Sequence, residues 1–142
     1  MHRIATFFTV LLVCACATPV GVKRLDARAV HRSLTTNVLS HGRPSASTDQ
    51  ALHRLDLFDR FRHEPEVALA ELHAALSETG AEDTLFALAE LSFLHAERSR
   101  NASYFLAAAV YAYAFLFPQA GAPPDSFDPR LRLAADLYNR GI

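Results

Sequence analysis

From Asp26 onward the apolar residues recur at three- and four-residue intervals, the period of an amphipathic helix. Nowhere do they alternate over a sustained stretch as in a half-buried strand. Val30, Leu34 and Val38 form one stripe across 26–39, and Gly42 and Pro44 stop that segment. A Ser-x-x-Gln capping box at Ser47–Gln50 predicts the next start, with Leu52, Leu55, Phe58 and Phe61 facing inward. Pro65 opens a third helix with Leu69, Leu72 and Leu76 as its stripe and Gly80 as its stop. The fourth, Glu82 to Ser99, carries Leu85, Phe86, Leu88, Ala89, Phe93 and Ala96, with acids at its start and Arg98 at its end, as the helix dipole favours. A fifth runs from Tyr104 to Phe117. Asp128-Pro129 caps a last one bearing Leu133, Leu137 and Tyr138, where Gly141 is placed as a C-cap with Ile142 packing back. The expectation is an all-α domain over 26–142, about six helices paired as antiparallel helical hairpins. The tetratricopeptide register, tried with Pro118 as its closing proline, does not fit.

The fifth helix, YFLAAAVYAYAFLF, contains no charge. A helix apolar all round is expected to be buried all round. Tyr104, Tyr111 and Phe115 lie along one side, and Leu106, Val110, Tyr113 and Phe117 along another. It is too short to span a bilayer, and Pro118 ends it. Two readings stay open: the central helix of this domain, or a helix also covered by a second domain absent from this chain.

The amino terminus has a different pattern. MHRIATFFTVLLVCAC reads as a short charged start, an apolar stretch from Ile4 to Val13 and a small residue before a cysteine, the layout of a secretory signal. Val13-Cys14-Ala15-Cys16 matches a lipobox, which predicts cleavage after residue 15 and acylation of Cys16. Residues 16–25 then form a lipidated tether. Two or more acyl chains make stable membrane anchoring, where one is marginal. Ala17 at the position after the cysteine resembles lipoproteins passed to the outer membrane of a Gram-negative cell.

Composition narrows the chemistry. With a net charge of −1 and scattered basic residues, the chain offers no electrostatic case for nucleic acid. Of its two cysteines, Cys14 leaves with the signal and Cys16 is acylated, so neither a disulfide nor a Cys-based metal site is expected. The five glycines include no G-x-S-x-G elbow, no phosphate-binding loop and no H-E-x-x-H. His53, His63 and His73 recur every ten residues and share no helix face, and Glu90 and His95 are poorly spaced for joint coordination. Glu64, Glu66, Glu82 and Asp83 sit at helix starts, where acids stabilise free amides. No catalytic residue, cofactor or metal site is therefore expected within the chain.

Several runs carry a resemblance beyond the lipobox: PVGVKRLDARAVHRSLTTNVLS, ALHRLDLFDRF, LFALAELSFLHAERS, YFLAAAVYAYAFLFP and FDPRLRLAADLYNRGI. Together they resemble the amino-terminal helical region of a group of bacterial lipoproteins of the α/β-hydrolase class. The similarity extends from Pro19 to Ile142 and rests on no single diagnostic motif. It implies a helical accessory region preceding a larger domain that carries the catalytic machinery. No catalytic position of that domain matches this chain, which stops where the group continues. The resulting expectation is a lipid-anchored, non-catalytic helical docking domain of the cell envelope. Its partner would be a hydrolase-type domain or, as the alternative, another envelope protein. The hairpin 82–117 would dock it, with Tyr104, Tyr111, Phe115 and Phe117 as anchors, since aromatics concentrate binding energy at interfaces.

Overall fold

A computed structural model describes residues 26–77, 81–119 and 122–142. The signal, the tether with Cys16 and the predicted stop at Gly80 lie outside the described residues. The chain divides into two compact units, Met1–Val30 and His31–Ile142. Of the first unit only residues 26–30 are described, the exposed opening of helix α1 (Ala27–Thr35). The second holds α2 (Val38–His41), α3 (Ala46–Arg54), α4 (Phe58–His63), α5 (Pro65–Ala74), a 3-10 turn (Ala75–Ser77), α6 (Ala81–Ser99), α7 (Ala102–Leu116) and α8 (Arg130–Gly141). The expected all-α class is what the chain adopts: no strand occurs among the described residues.

There are more and shorter helices than the periodicity predicts, and each break has a local cause. The segment 26–39 divides because Asn37 is extended (φ −156°, ψ 176°) and caps α2. Its side-chain oxygen accepts from the amides of Leu39 and Ser40, while the Ser40 hydroxyl accepts from the Asn37 amide, a reciprocal capping box. Val38 is buried as expected, whereas Val30 is 38% exposed. Gly42 ends α2 in the left-handed region (φ 62°).

The capping box expected at Ser47–Gln50 does not form. Helix α3 starts earlier, with Ser45 at its N-cap, and Ser47 and Gln50 lie inside it. The helix carrying Leu52 to Phe61 is likewise two helices, because the chain turns at Asp56 (φ 55°) before Leu57. Leu52 and Phe61 still reach the core, and Leu55 and Phe58 pack half-buried against it. Pro65 opens α5 at its first turn as expected.

Helices α6 and α7 form an antiparallel hairpin. Arg100 (φ 58°) makes the turn and Asn101 caps α7 by accepting from the Ser103 amide. Phe86 meets Phe115 at 5.4 Å and Phe93 meets Phe105 at 5.2 Å between ring centroids, so partners move apart in opposite directions along the two helices. Helix α8 returns along α7. A Cβ added at Gly141 would stand 2.4 Å from the Phe105 carbonyl oxygen and 2.8 Å from the Ala109 Cβ. Gly141 thus serves as the close-approach point of α7 and α8 rather than as the expected C-cap. Ile142 does not pack back; it is 79% exposed.

The centre of the unit is α6. Thr84 and every residue from Phe86 to Ala96 are buried. Helices α2 to α5 pack around it together with α7 and α8, and Leu52, Leu69, Leu72, Leu88, Leu91 and Leu137 fill the space between. Burying each such leucine contributes roughly 1.5–3 kcal/mol before the cost of ordering the chain.

Candidate functional site

Helix α7 is not buried all round. Its inner side carries Ala108, Ala112 and Phe115. On its outer side Leu106, Val110, Tyr113 and Phe117 are 58%, 56%, 46% and 57% exposed. These four recur at 4-3-4 spacing and make one continuous stripe, continued across the ring pair Tyr113–Phe117 at 5.0 Å. Small residues flank it: Ser103 is exposed, and Ala107 and Ala114 are half-buried. Contiguous apolar area of this kind marks interaction surfaces on soluble domains.

The four anchors expected from sequence divide differently. Phe117 is on the stripe. Phe115 is 1% exposed, packed against Phe86 and under the Arg130 guanidinium at 5.1 Å, so its ring is core and presents no surface. Tyr104 and Tyr111 are half-buried on the flank facing α5 and α6. The Tyr111 hydroxyl lies 2.9 Å from His73 Nδ1. Burial raises the Tyr111 phenol above its ordinary value, and burial and the Glu66 carboxylate raise that of Tyr104. Leu106, Val110 and Tyr113, recognisable in the sequence as a separate side of the helix, are the residues that reach solvent with Phe117.

Three polar clusters hold the domain behind this face. Glu90, in the middle of α6, is fully buried. Its Oε1 accepts from the Val38 amide at 3.0 Å. Its Oε2 accepts from the Ser45 amide at 2.9 Å and from the hydroxyls of Ser45 and Thr48 at 2.7 Å each. One carboxylate therefore satisfies the first turns of both α2 and α3, which leave amides without intrahelical partners. This explains why Ser45 makes no side-chain cap of its own: its hydroxyl is donated to Glu90.

At the start of α8, the Arg130 guanidinium lies over Phe86 and Phe115 and bonds Asp83 (2.7 Å), Asp128 (2.7 Å) and Glu82. Burial pushes the Asp83 carboxyl up, but Arg54 and Arg130 outweigh it and hold it below the usual carboxylate value. Hydrogen bonds from Arg130 hold Asp128 low as well. Asp83, Phe86, Asp128 and Arg130 border an open cleft of about 660 Å³, also lined by Asn37, Ser45 and Phe127. Its hydroxyl-bearing residues are Thr36, Ser45 and Ser47; the Ser45 hydroxyl donates to Glu90 and lies 3.0 Å from that of Ser47.

The third cluster joins α5, α6 and α7. His95 is 8% exposed, its ring stands edge-on to Tyr104 at 4.4 Å, and Nε2 is 3.4 Å from Glu66 Oε1. Among the described residues no group of three His, Cys, Asp or Glu side chains is placed to hold a metal ion, and no helix is long and apolar enough to cross a membrane.

Sequence reasoning missed Glu90 and Arg130 as organising groups. The signal for Glu90 is a lone acid within the apolar run LFALAELSFL; Arg130 carries no comparable mark. No protein-family model, curated protein or solved structure matches the chain.

Proposed function

We propose that this protein is a lipid-tethered helical docking module of the bacterial cell envelope, non-catalytic by itself, whose working surface is the outer face of α7. The observation that carries the reading is the exposed stripe Leu106, Val110, Tyr113 and Phe117 on a helix without a charge. Aromatic residues on such a patch supply binding energy out of proportion to their number. The polar clusters support the reading from the other side, since Glu90 and Arg130 are consumed in fixing helices rather than in presenting reactive groups. The lipobox supports the tether at Cys16, and the resemblance to hydrolase-class lipoproteins supports a hydrolase-type domain as the client of this face.

Two measurements test it. Metabolic labelling with a radioactive fatty acid should mark the wild type and not Cys16→Ser; equal labelling would remove the anchor from the reading. Co-purification from detergent-solubilised envelopes should recover a hydrolase-type polypeptide with the wild type and lose it with Val110→Glu. Recovery unchanged by that charge would move the docking surface elsewhere.

A further inference from the structure

The outer face of α7 has a spacing that specifies its complement. Leu106, Val110 and Tyr113 on α7 and Phe117 at its C-cap, whose amide still bonds the Tyr113 carbonyl, follow each other at four, three and four residues, the d-a-d-a order of a heptad seam. The next residues out, Ser103, Ala107 and Ala114, are small enough to let another helix approach closely. The whole of α7 lacks charge, so any ion on the contacting face would be desolvated without a partner, whereas a second α7 brings none.

We propose that in the absence of its client this face is covered by the α7 of a second copy of the chain, the two helices running antiparallel about a two-fold axis between Val110 and Tyr113. Antiparallel seams oppose a positions with d positions. Leu106 of each copy then meets Phe117 of the other, and Val110 meets Tyr113. Every layer pairs a smaller aliphatic side chain with a larger aromatic one, and the arrangement is self-complementary, as an isologous interface requires. A parallel pairing would stack Phe117 on Phe117 and leave Val110 opposite Val110, with uneven layers. Each stripe residue is about half exposed and offers on the order of 100 Å², roughly 400 Å² per copy from the four. With the flanking residues, the pair reaches about the 1,000 Å² at which specific association begins. The self-pairing is therefore weak enough for a client to displace. Tethering both copies to one bilayer raises their effective concentration and makes it matter. The inference rests on the docking reading above and names what occupies the face before the client does.

The test uses the full chain in native membranes, with Leu106→Cys and Phe117→Cys made separately, both at exposed positions. The variants are treated with a short bis-maleimide singly and co-expressed, with the wild type as background. A dimer-mass band from the mixture and from neither single variant is expected, because like positions at the ends of the seam lie roughly 16 Å apart along an antiparallel pair. A band as strong from Leu106→Cys alone, or none from the mixture, would overturn the proposal. The two failures are separable. If the mixture gives no band while Val110→Glu still releases a client, self-pairing falls and docking stands. If Val110→Glu releases nothing and the mixture still cross-links, the face is a dimer surface and the client reading falls.

Discussion

Helices α6 and α7 are neighbours in one hairpin, yet they handle polarity in opposite ways. Helix α6 contains Glu82, Asp83, Glu90, His95, Glu97 and Arg98, and is buried continuously from Phe86 to Ala96. Helix α7 contains no charge and leaves a full apolar stripe in solvent. Burial is thus decided by position in the packing rather than by composition. A charged residue can occupy the centre when it has partners, and Glu90 has four donors from two helix starts. An uncharged helix can lie at the edge with one apolar side in solvent, as α7 does.

The largest effect is expected where the two helices differ most. Glu90→Ala orphans several buried donors, at about 1–3 kcal/mol each, and should lower unfolding stability in urea by about 3–5 kcal/mol. Glu90→Gln, which keeps one acceptor, should cost less. If both are neutral, the carboxylate does not hold α2 and α3, and the contrast with α7 loses its physical basis.

A smaller loss should come from the packed flank of α7. Gly141→Ala places a methyl against the Phe105 carbonyl and the Ala109 side chain, so α8 must shift outward. Overpacking of this kind costs about 1–3 kcal/mol, read as a lower thermal midpoint. An unchanged midpoint would mean that α7 and α8 are not in backbone contact there.

The Arg130 cluster gives a pH dependence smaller still. Asp83 and Asp128 are held below the ordinary value of 3.8, so their contribution is complete above that value and is lost as pH falls through their lowered folded values. The thermal midpoint of the wild type should fall more steeply between pH 4 and pH 2 than that of Arg130→Met. Parallel profiles would show that the guanidinium does not depress these carboxyls.

The smallest stability effect is expected on the stripe itself. Val110→Glu at an exposed position should alter unfolding by no more than about 0.5 kcal/mol while removing association. A destabilisation of the size seen for Glu90→Ala would place Val110 in the core and erase the comparison.

How much of this was legible beforehand follows the same division. Period fixes which residues can share a helix face, so Leu52, Leu69, Leu72, Leu88 and Leu137 are recognisable as core. Gly42 and Pro65 mark real boundaries because their backbone preferences act locally. The breaks at Asn37 and Asp56 depend on where flanking helices must go to reach α6, which periodicity does not encode. The displaced start of α3 has the same origin, since the carboxylate that meets its first turn is 45 residues from Ser45 in sequence. The exposed stripe was half visible: the two sides of α7 separate cleanly by period, but which side faces the domain depends on α6 and α8. Phe115 and Phe117, two residues apart and alike in aromatic character, consequently end in different places, one in the core and one in solvent.

The most direct measurement is site-specific photo-crosslinking in living cells, with a photoreactive residue at Val110 on the stripe and, for comparison, at Ala70, an exposed position on α5. Capture at Val110, of a second copy or of a client, with none at Ala70 is the expected result. Equal capture at both positions, or none at Val110, would contradict the account, because the outer face of α7 would then be exposed without being a docking surface.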